Sequence, residues 1–166
     1  MVFMLLSCFG GVKKTGKVVG YKQGRVITKK GFYQVGELPS SWNQINLDQA
    51  MVVFRNDGLK SSISTDAFCD QAYDDSALNM LTKHLFAGLQ DVKIIQEQPL
   101  MLNDRGALRT SIQATLDGLP VTVEIVVVKK NWCLFDFYLV SQPDKFEQTT
   151  KDFETFYQGF VYSGDI

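Results

Sequence analysis

The run Leu119-Pro-Val-Thr-Val-Glu-Ile-Val-Val-Val-Lys-Lys-Asn-Trp-Cys-Leu-Phe-Asp-Phe-Tyr-Leu-Val140 decides the fold. Leu119, Val121, Val123, Ile125 and Val127 recur at every second position and so share one face of a strand. Lys129-Lys130-Asn131 turns the chain. Cys133, Phe135, Phe137 and Leu139 then line one face of a second strand, with Trp132, Leu134, Tyr138 and Val140 on the other. A strand apolar on both faces has to be covered on both sides, so it is expected at the centre of a sheet.

Upstream, residues 92–102 and 107–116 read as two more strands, separated by the turn Asn103-Asp104-Arg105-Gly106 and closed by Asp117-Gly118. Together the four make an antiparallel meander. Before it, Leu78, Leu81, Leu85 and Leu89 fall at helical spacing, predicting a helix over 77–89 with one buried stripe. Asp74, Asp75 and Ser76 are its expected N-cap and first-turn acids. After the meander, Pro143 is expected to start a second helix, with Asp144 and Glu147 in its first turn. Its aromatic stripe Phe146, Phe153, Phe156, Tyr157 and Phe160 is expected to cover the sheet. In the first half, 25–28 reads as a short strand, 37–42 as a loop, and 49–54 and 60–66 as a strand pair about the turn Asn56-Asp57-Gly58. The expectation is an α+β domain, an antiparallel sheet of about six strands covered by helices, spanning 25–166 after a leader and tether at 1–24.

At 166 residues the chain is one domain's worth, and its 45% hydrophobic and 21% charged content is that of a folded protein. No apolar run reaches the ~18 residues needed to span a bilayer. One histidine and three cysteines exclude most self-contained zinc sites, and no metal or cofactor is expected. The net charge of −1 argues against a nucleic-acid binder. It conceals an asymmetry. Residues 1–40 carry seven basic side chains and one acid, while 41–166 carry ten basic and seventeen acidic ones. A lysine-rich leader on an acidic body suits work near anionic headgroups, or else solvated loops and edge strands.

The N-terminal apolar run ends in Leu5-Leu6-Ser7-Cys8-Phe9-Gly10-Gly11. This resembles a bacterial lipobox, in which a cysteine after a small residue is acylated and anchors the chain; Cys8 is the expected lipid-attachment residue. Leu6 and the shortness of the apolar segment depart from that pattern. By the same resemblance, Phe9 rather than aspartate after the cysteine points to the periplasmic face of the outer membrane. The alternative is a cytosolic interaction or chaperone-like factor with three reduced cysteines, and a hydrolase using unseen carboxylates is a third class. Cys69 and Cys133 then remain as a candidate disulfide, or as two buried free thiols.

No nucleophile elbow, metalloprotease, P-loop or dinucleotide motif occurs. His84 reads as a partly exposed helical residue, and Asp70, Asp74 and Asp75 as capping acids lacking EF-hand spacing. Glu124 and Asp136 lie on neighbouring predicted strands as a candidate acid–base pair, or as two ion-paired carboxylates. Trp42, Trp132 and Tyr138 are candidates for an apolar binding cleft, or for packing.

The order of strand pair, helix, meander and aromatic helix, with Trp42 ahead of the first core strand, resembles the PsbP-like α/β/α sandwich. Cys69-Asp70, Leu102-Asn-Asp-Arg-Gly-Ala-Leu108 and Asn131-Trp-Cys-Leu-Phe-Asp-Phe137 are similar to small lipoproteins of that type from Gram-negative bacteria. The resemblance spans about 38–162 and carries no catalytic signature. It implies a non-enzymatic binding or assembly factor for a protein partner or a small apolar ligand, membrane-associated through its lipid, without nucleic acid.

Overall fold

The computed structural model describes residues 18–46, 51–69 and 75–164. The four-strand meander is present as β7 (Gln90–Leu102), β8 (Arg105–Leu116), β9 (Leu119–Lys130) and β10 (Cys133–Ser141). Three earlier strands, β4 (Asn43–Ile45), β5 (Val52–Asn56) and β6 (Ser61–Cys69), join them in one antiparallel sheet of order β4-β5-β6-β10-β9-β8-β7. The doubly apolar strand β10 is therefore central, hydrogen-bonded to β6 on one side and β9 on the other.

Each face of this sheet has its own core. One contains Ile112, Val123, Ile125, Val127 and Leu134, under helix α1 (Leu78–His84). The other contains Val126, Val128, Phe135, Phe137 and Leu139, under helix α2 (Phe146–Gln158). Beside α2, on the same face, lies a second sheet of order β1-β2-β3-β11, formed by β1 (Val18–Lys22), β2 (Arg25–Thr28), β3 (Gly31–Gln34) and β11 (Val161–Tyr162). It is held down by rings: Tyr33 meets Phe135 at 5.0 Å and Phe160 at 6.0 Å, Tyr162 meets Phe135 at 4.8 Å, and Tyr21 meets Phe54 at 5.1 Å. The Tyr33 hydroxyl is satisfied by Thr65 Oγ1 at 2.9 Å, which lets a phenol sit in an apolar core.

The expectation of about six strands covered by helices is thus corrected to eleven strands in two antiparallel sheets with two helices, among the described residues. The tether expected through Gly24 ends earlier, because Val18–Lys22 pairs with β2 and buries Val18. Helix α1 stops at His84 rather than Leu89. The Leu85 and Phe86 amides bond three residues back, to Thr82 and Lys83, and Gly88 (φ +89°) turns the chain out. Its leucine stripe nonetheless packs on the sheet. Its N-cap is Ala77, with no side-chain cap, so the expected capping by Asp75 or Ser76 is not made; Asp74 lies outside the described residues. Pro143 precedes α2 in a turn closed by the Lys145 amide on Gln142 O. Phe160 follows the helix but is buried with Phe153, Phe156 and Tyr157, and Phe146 packs against them partly buried.

Backbone contact explains two glycines. The Gly36 amide donates to Phe156 O at 2.9 Å, so the strand exit and the helix end touch main chain to main chain. A Cβ on Gly36 would overlap the Thr155 carbonyl, and one on Gly159 would overlap the Gly36 backbone. Gly159→Ala is expected to lower stability by about 1–3 kcal/mol, as an overpacking change. Gly106→Ala, where a Cβ meets nothing within 4 Å, is expected to be near neutral. Urea midpoints of the two variants check this, and equal midpoints would contradict the close approach.

Candidate functional site

Strand register places the candidate residues. Glu124 faces Leu139 across β9–β10, and Asp136 faces Val127. The two differ in parity, so Glu124 points to the α2 face and Asp136 to the α1 face. The candidate acid–base pair is corrected: a sheet separates them.

Asp136 has a different carboxyl neighbour. Asp66 lies directly across the β6–β10 pair from it, and both are buried. The Ala67 amide donates to Asp66 Oδ1 at 2.8 Å. Neither Asp136 oxygen accepts a hydrogen bond among the described residues. Burial pushes the Asp136 carboxyl well above the usual carboxylate range, and the Asp66 charge pushes it further. The nearby Tyr138 hydroxyl pulls the other way by less, without completing a hydrogen bond. Burial and the Asp66 charge therefore favour the neutral acid at Asp136. The alternation of 61–66 hid this pairing, because register across 70 residues of chain is not written in either strand.

On the α2 face, Glu124 Oε1 accepts from Arg109 Nε at 2.7 Å and from Ser111 Oγ at 2.8 Å. Glu124 is fully buried, while the Arg109 side chain keeps 25% of its surface exposed. The pair is internal on one side and open on the other. The open side forms the wall of a groove of about 420 Å³ between α2 and the β7–β8 hairpin. Gln98, Leu100 and Asn103 line it from the hairpin, and Glu154, Tyr157 and Gln158 from the helix. Asn103 (φ +46°) also braces the hairpin end. Its Oδ1 accepts from Lys130 Nζ at 2.7 Å and from the Tyr162 amide at 2.9 Å. Sequence reading singled out the string containing Asn103 but missed Arg109, for which no motif exists; only its register opposite Val126 sets it beside Glu124.

Trp42, Trp132 and Tyr138 do not converge on a cleft, which corrects that expectation. Trp42 is buried on the α2 face and its Nε1 donates to Asp152 Oδ2 at 2.8 Å, tying the 38–42 loop to α2. Trp132 sits at the tip of the β9–β10 turn (φ +63°), 47% exposed. Tyr138 packs on the α1 face. His84 is exposed in the last turn of α1, and Arg105 is exposed at the start of β8. Cys8, Asp70 and Asp74 lie outside the described residues. Among the described residues no group of three His, Cys, Asp or Glu side chains is placed to hold a metal ion, and no helix is long and apolar enough to cross a membrane.

Cys69 and Cys133 are directly opposed on β6 and β10, Cα atoms 3.9 Å apart, and form a disulfide. It cross-links residues 64 apart in sequence and lies among Tyr162 and Phe135. In the chain-entropy view such a loop stabilises by about 4 kcal/mol. Reduction is expected to lower the guanidinium midpoint accordingly, read by circular dichroism with and without reductant; an unchanged midpoint would show the bond to be structurally idle.

A second measurement addresses Asp136. Its folded pKa is raised, so the native state holds a proton that the unfolded chain releases from about pH 4 upward. Its contribution therefore declines as pH rises from there toward the raised native pKa. Asp136→Asn carries no ionisation, so its stability relative to the parent is expected to improve as pH rises above about 4. Parallel stability–pH curves would show that the carboxyl is not held neutral.

No family model matches the chain, and no curated protein does. Solved structures do. The solution structure of cyanobacterial PsbP (CyanoP) from Synechocystis sp. PCC 6803 superposes with a TM-score of 0.60 at 15% identity, covering 96% of this chain and 99% of that one. PA94 from Pseudomonas aeruginosa, a protein of unknown function, gives 0.59 at 12% identity over 75% of this chain and 99% of that one. LpqN of Mycobacterium tuberculosis, involved in cell envelope biogenesis, gives 0.54 at 10% identity over 78% and 83%. At these identities the likeness is one of architecture: the chain has a PsbP-like fold.

Proposed function

We propose that this chain is a cell-envelope protein, held by lipid on Cys8 at the periplasmic face of the outer membrane, that acts as a non-catalytic binding or assembly module for a protein partner. The observation that carries the reading is the groove beside α2. Its cation, Arg109, is fixed by a buried carboxylate yet still lines open space. A guanidinium held at Nε keeps other N–H donors in a rigid plane, suited to a carboxylate or backbone carbonyl of an entering segment. Gln98 and Gln158 add amide groups at either wall. This mostly polar lining favours a peptide segment over a small apolar ligand.

Three features support the rest. Glu124 is occupied by Arg109 and Ser111, and Asp136 lies across the sheet, which favours binding over acid–base chemistry. The Cys69–Cys133 disulfide favours an oxidising compartment over the cytosol. LpqN, of similar architecture, is involved in cell envelope biogenesis.

Expression with the native leader in a Gram-negative host tests both parts. Intact mass is expected to show acylation on Cys8, and Cys8→Ser to release the protein from membranes. A photo-crosslinker at Gln98 or at Gln158 is expected to capture the same partner, and Glu154→Arg to reduce both yields. An unmodified chain in the cytosol would remove the anchor. Crosslinks that differ between the two groove positions, or that ignore Glu154→Arg, would remove the module.

A further inference from the structure

The four-stranded sheet turns one face to the core and, among the described residues, leaves the other uncovered. Val18, Val26, Tyr33 and Tyr162 point inward and are buried. Between them in sequence, Val19, Ile27, Phe32 and Val161 are 58%, 40%, 43% and 43% exposed. Strand alternation normally puts polar side chains outward when one face is solvated. Here the outward positions pair two large apolar groups, since Ile27 lies directly opposite Phe32.

The same face is cationic. Lys22 lies opposite Arg25, and the Arg25 guanidinium stands 4.9 Å from the centre of the Phe32 ring. Lys29 and Lys30 form the exposed β2–β3 turn. Residues 18–36 contain these four basic side chains and no acidic one, and Lys13, Lys14 and Lys17 precede them in sequence. A shallow depression of about 450 Å³ runs among Lys22, Arg25, Ile27 and Phe32. Cations and bulky apolar groups on one flat surface match an anionic headgroup layer over hydrocarbon.

We infer that the outward face of the β1-β2-β3-β11 sheet docks onto an anionic lipid surface, with Ile27 and Phe32 entering the headgroup–acyl boundary and Lys22, Arg25, Lys29 and Lys30 meeting phosphates. This goes beyond the module proposed above and does not require acylation. Free nucleic acid or an acidic protein would be served by the cations alone and gives no reason for two exposed apolar residues at their centre.

The test uses the full chain produced without acylation and sedimented with unilamellar vesicles. One set is 3:1 phosphatidylethanolamine to phosphatidylglycerol, the other pure phosphatidylcholine. Binding is expected to the first set only and to weaken with salt. Lys29→Gln with Lys30→Gln is expected to lower partitioning on the order of tenfold or more, taking ~1 kcal/mol per charge. Phe32→Ser, an exposed position, is expected to lower it while leaving the thermal midpoint in place. Lys83→Gln with Lys93→Gln, an equal charge change on other surfaces, is expected to leave it unchanged. Absence of binding to the phosphatidylglycerol vesicles at low salt would overturn the inference. So would equal losses from both lysine pairs. Binding to heparin with the same affinity and no effect of Phe32→Ser would overturn it in favour of a polyanionic partner.

Discussion

Strand β10 carries aromatic and aliphatic side chains on both faces, and the molecule is organised by the need to cover them. Phe135 and Phe137 occupy one face of β10, and Leu134, Tyr138 and Val140 the other. A ring such as Phe135 left in water would forfeit about 2–3 kcal/mol of burial. Four aromatic partners enclose the first face: Phe156 from α2, Phe160 just beyond it, Tyr33 from β3 and Tyr162 from β11. The small sheet therefore has no core independent of the large one. Its strands are two to five residues long, and sheets that short are stable only when packed on something else. Rings from the middle, the end and the beginning of the chain share one cluster, which closes the fold onto itself.

The glycine contact and the disulfide serve the same closure. Gly36 and Gly159 let the exit of β3 run against the end of α2 with no side chain between them, and the Gly36 amide is satisfied there by Phe156 O. Cys69 and Cys133 fix the far end of the β6–β10 pair. Three residues along β10 from Cys133, on the opposite face, lies Asp136, a buried carboxyl with no hydrogen bond among the described residues. Such a group normally costs stability. The surrounding contacts tolerate it only in the neutral form, which is the physical meaning of its raised pKa.

The parts of this arrangement that were legible in the sequence are those that depend on local periodicity. The meander could be read because 119–127 alternates, 132–140 is apolar on both faces, and the turns at Asn103-Asp104, Asp117-Gly118 and Asn131-Trp132 carry positive φ angles. The leucine stripe of α1 and the aromatic stripe of α2 were read from spacing alone. What escaped depends on partners distant in sequence. Strand β11 is two residues long and exists because Val161 and Tyr162 find Gln34 and Tyr33. Strand β4 likewise exists through its pairing with β5. Asp66 looked like the polar end of an alternating strand until register set it opposite Asp136. Trp42, Trp132 and Tyr138 share a chemistry but not a location, because parity and turn position send each to a different surface. Arg109 and Glu124 show the same limit: two ordinary charged residues became a site only when a 15-residue hairpin separation put them on one face.

Among the apolar residues that remain exposed, two groups cluster on the sheets, and the molecule treats them differently. Ile94, Ile95 and Met101 lie on β7, the outer strand of the large sheet. That strand shifts register twice and carries Pro99, features that interrupt the row of amides and carbonyls another chain would need for pairing. The exposed hydrophobics of β7 are thus guarded against strand addition. Ile27 and Phe32 sit opposite each other in regular register on inner strands of the small sheet. Nothing there invites another strand, so no guard is needed and the side chains are free to present a surface. Arg25 against the Phe32 ring does not shield that surface from an anion; it brings the cation and the apolar group to the same place. The inward neighbours Val26 and Tyr33 are fully buried, so the core makes no demand on what faces outward. The apolar residues at these outward positions are therefore not accounted for by packing within the described fold.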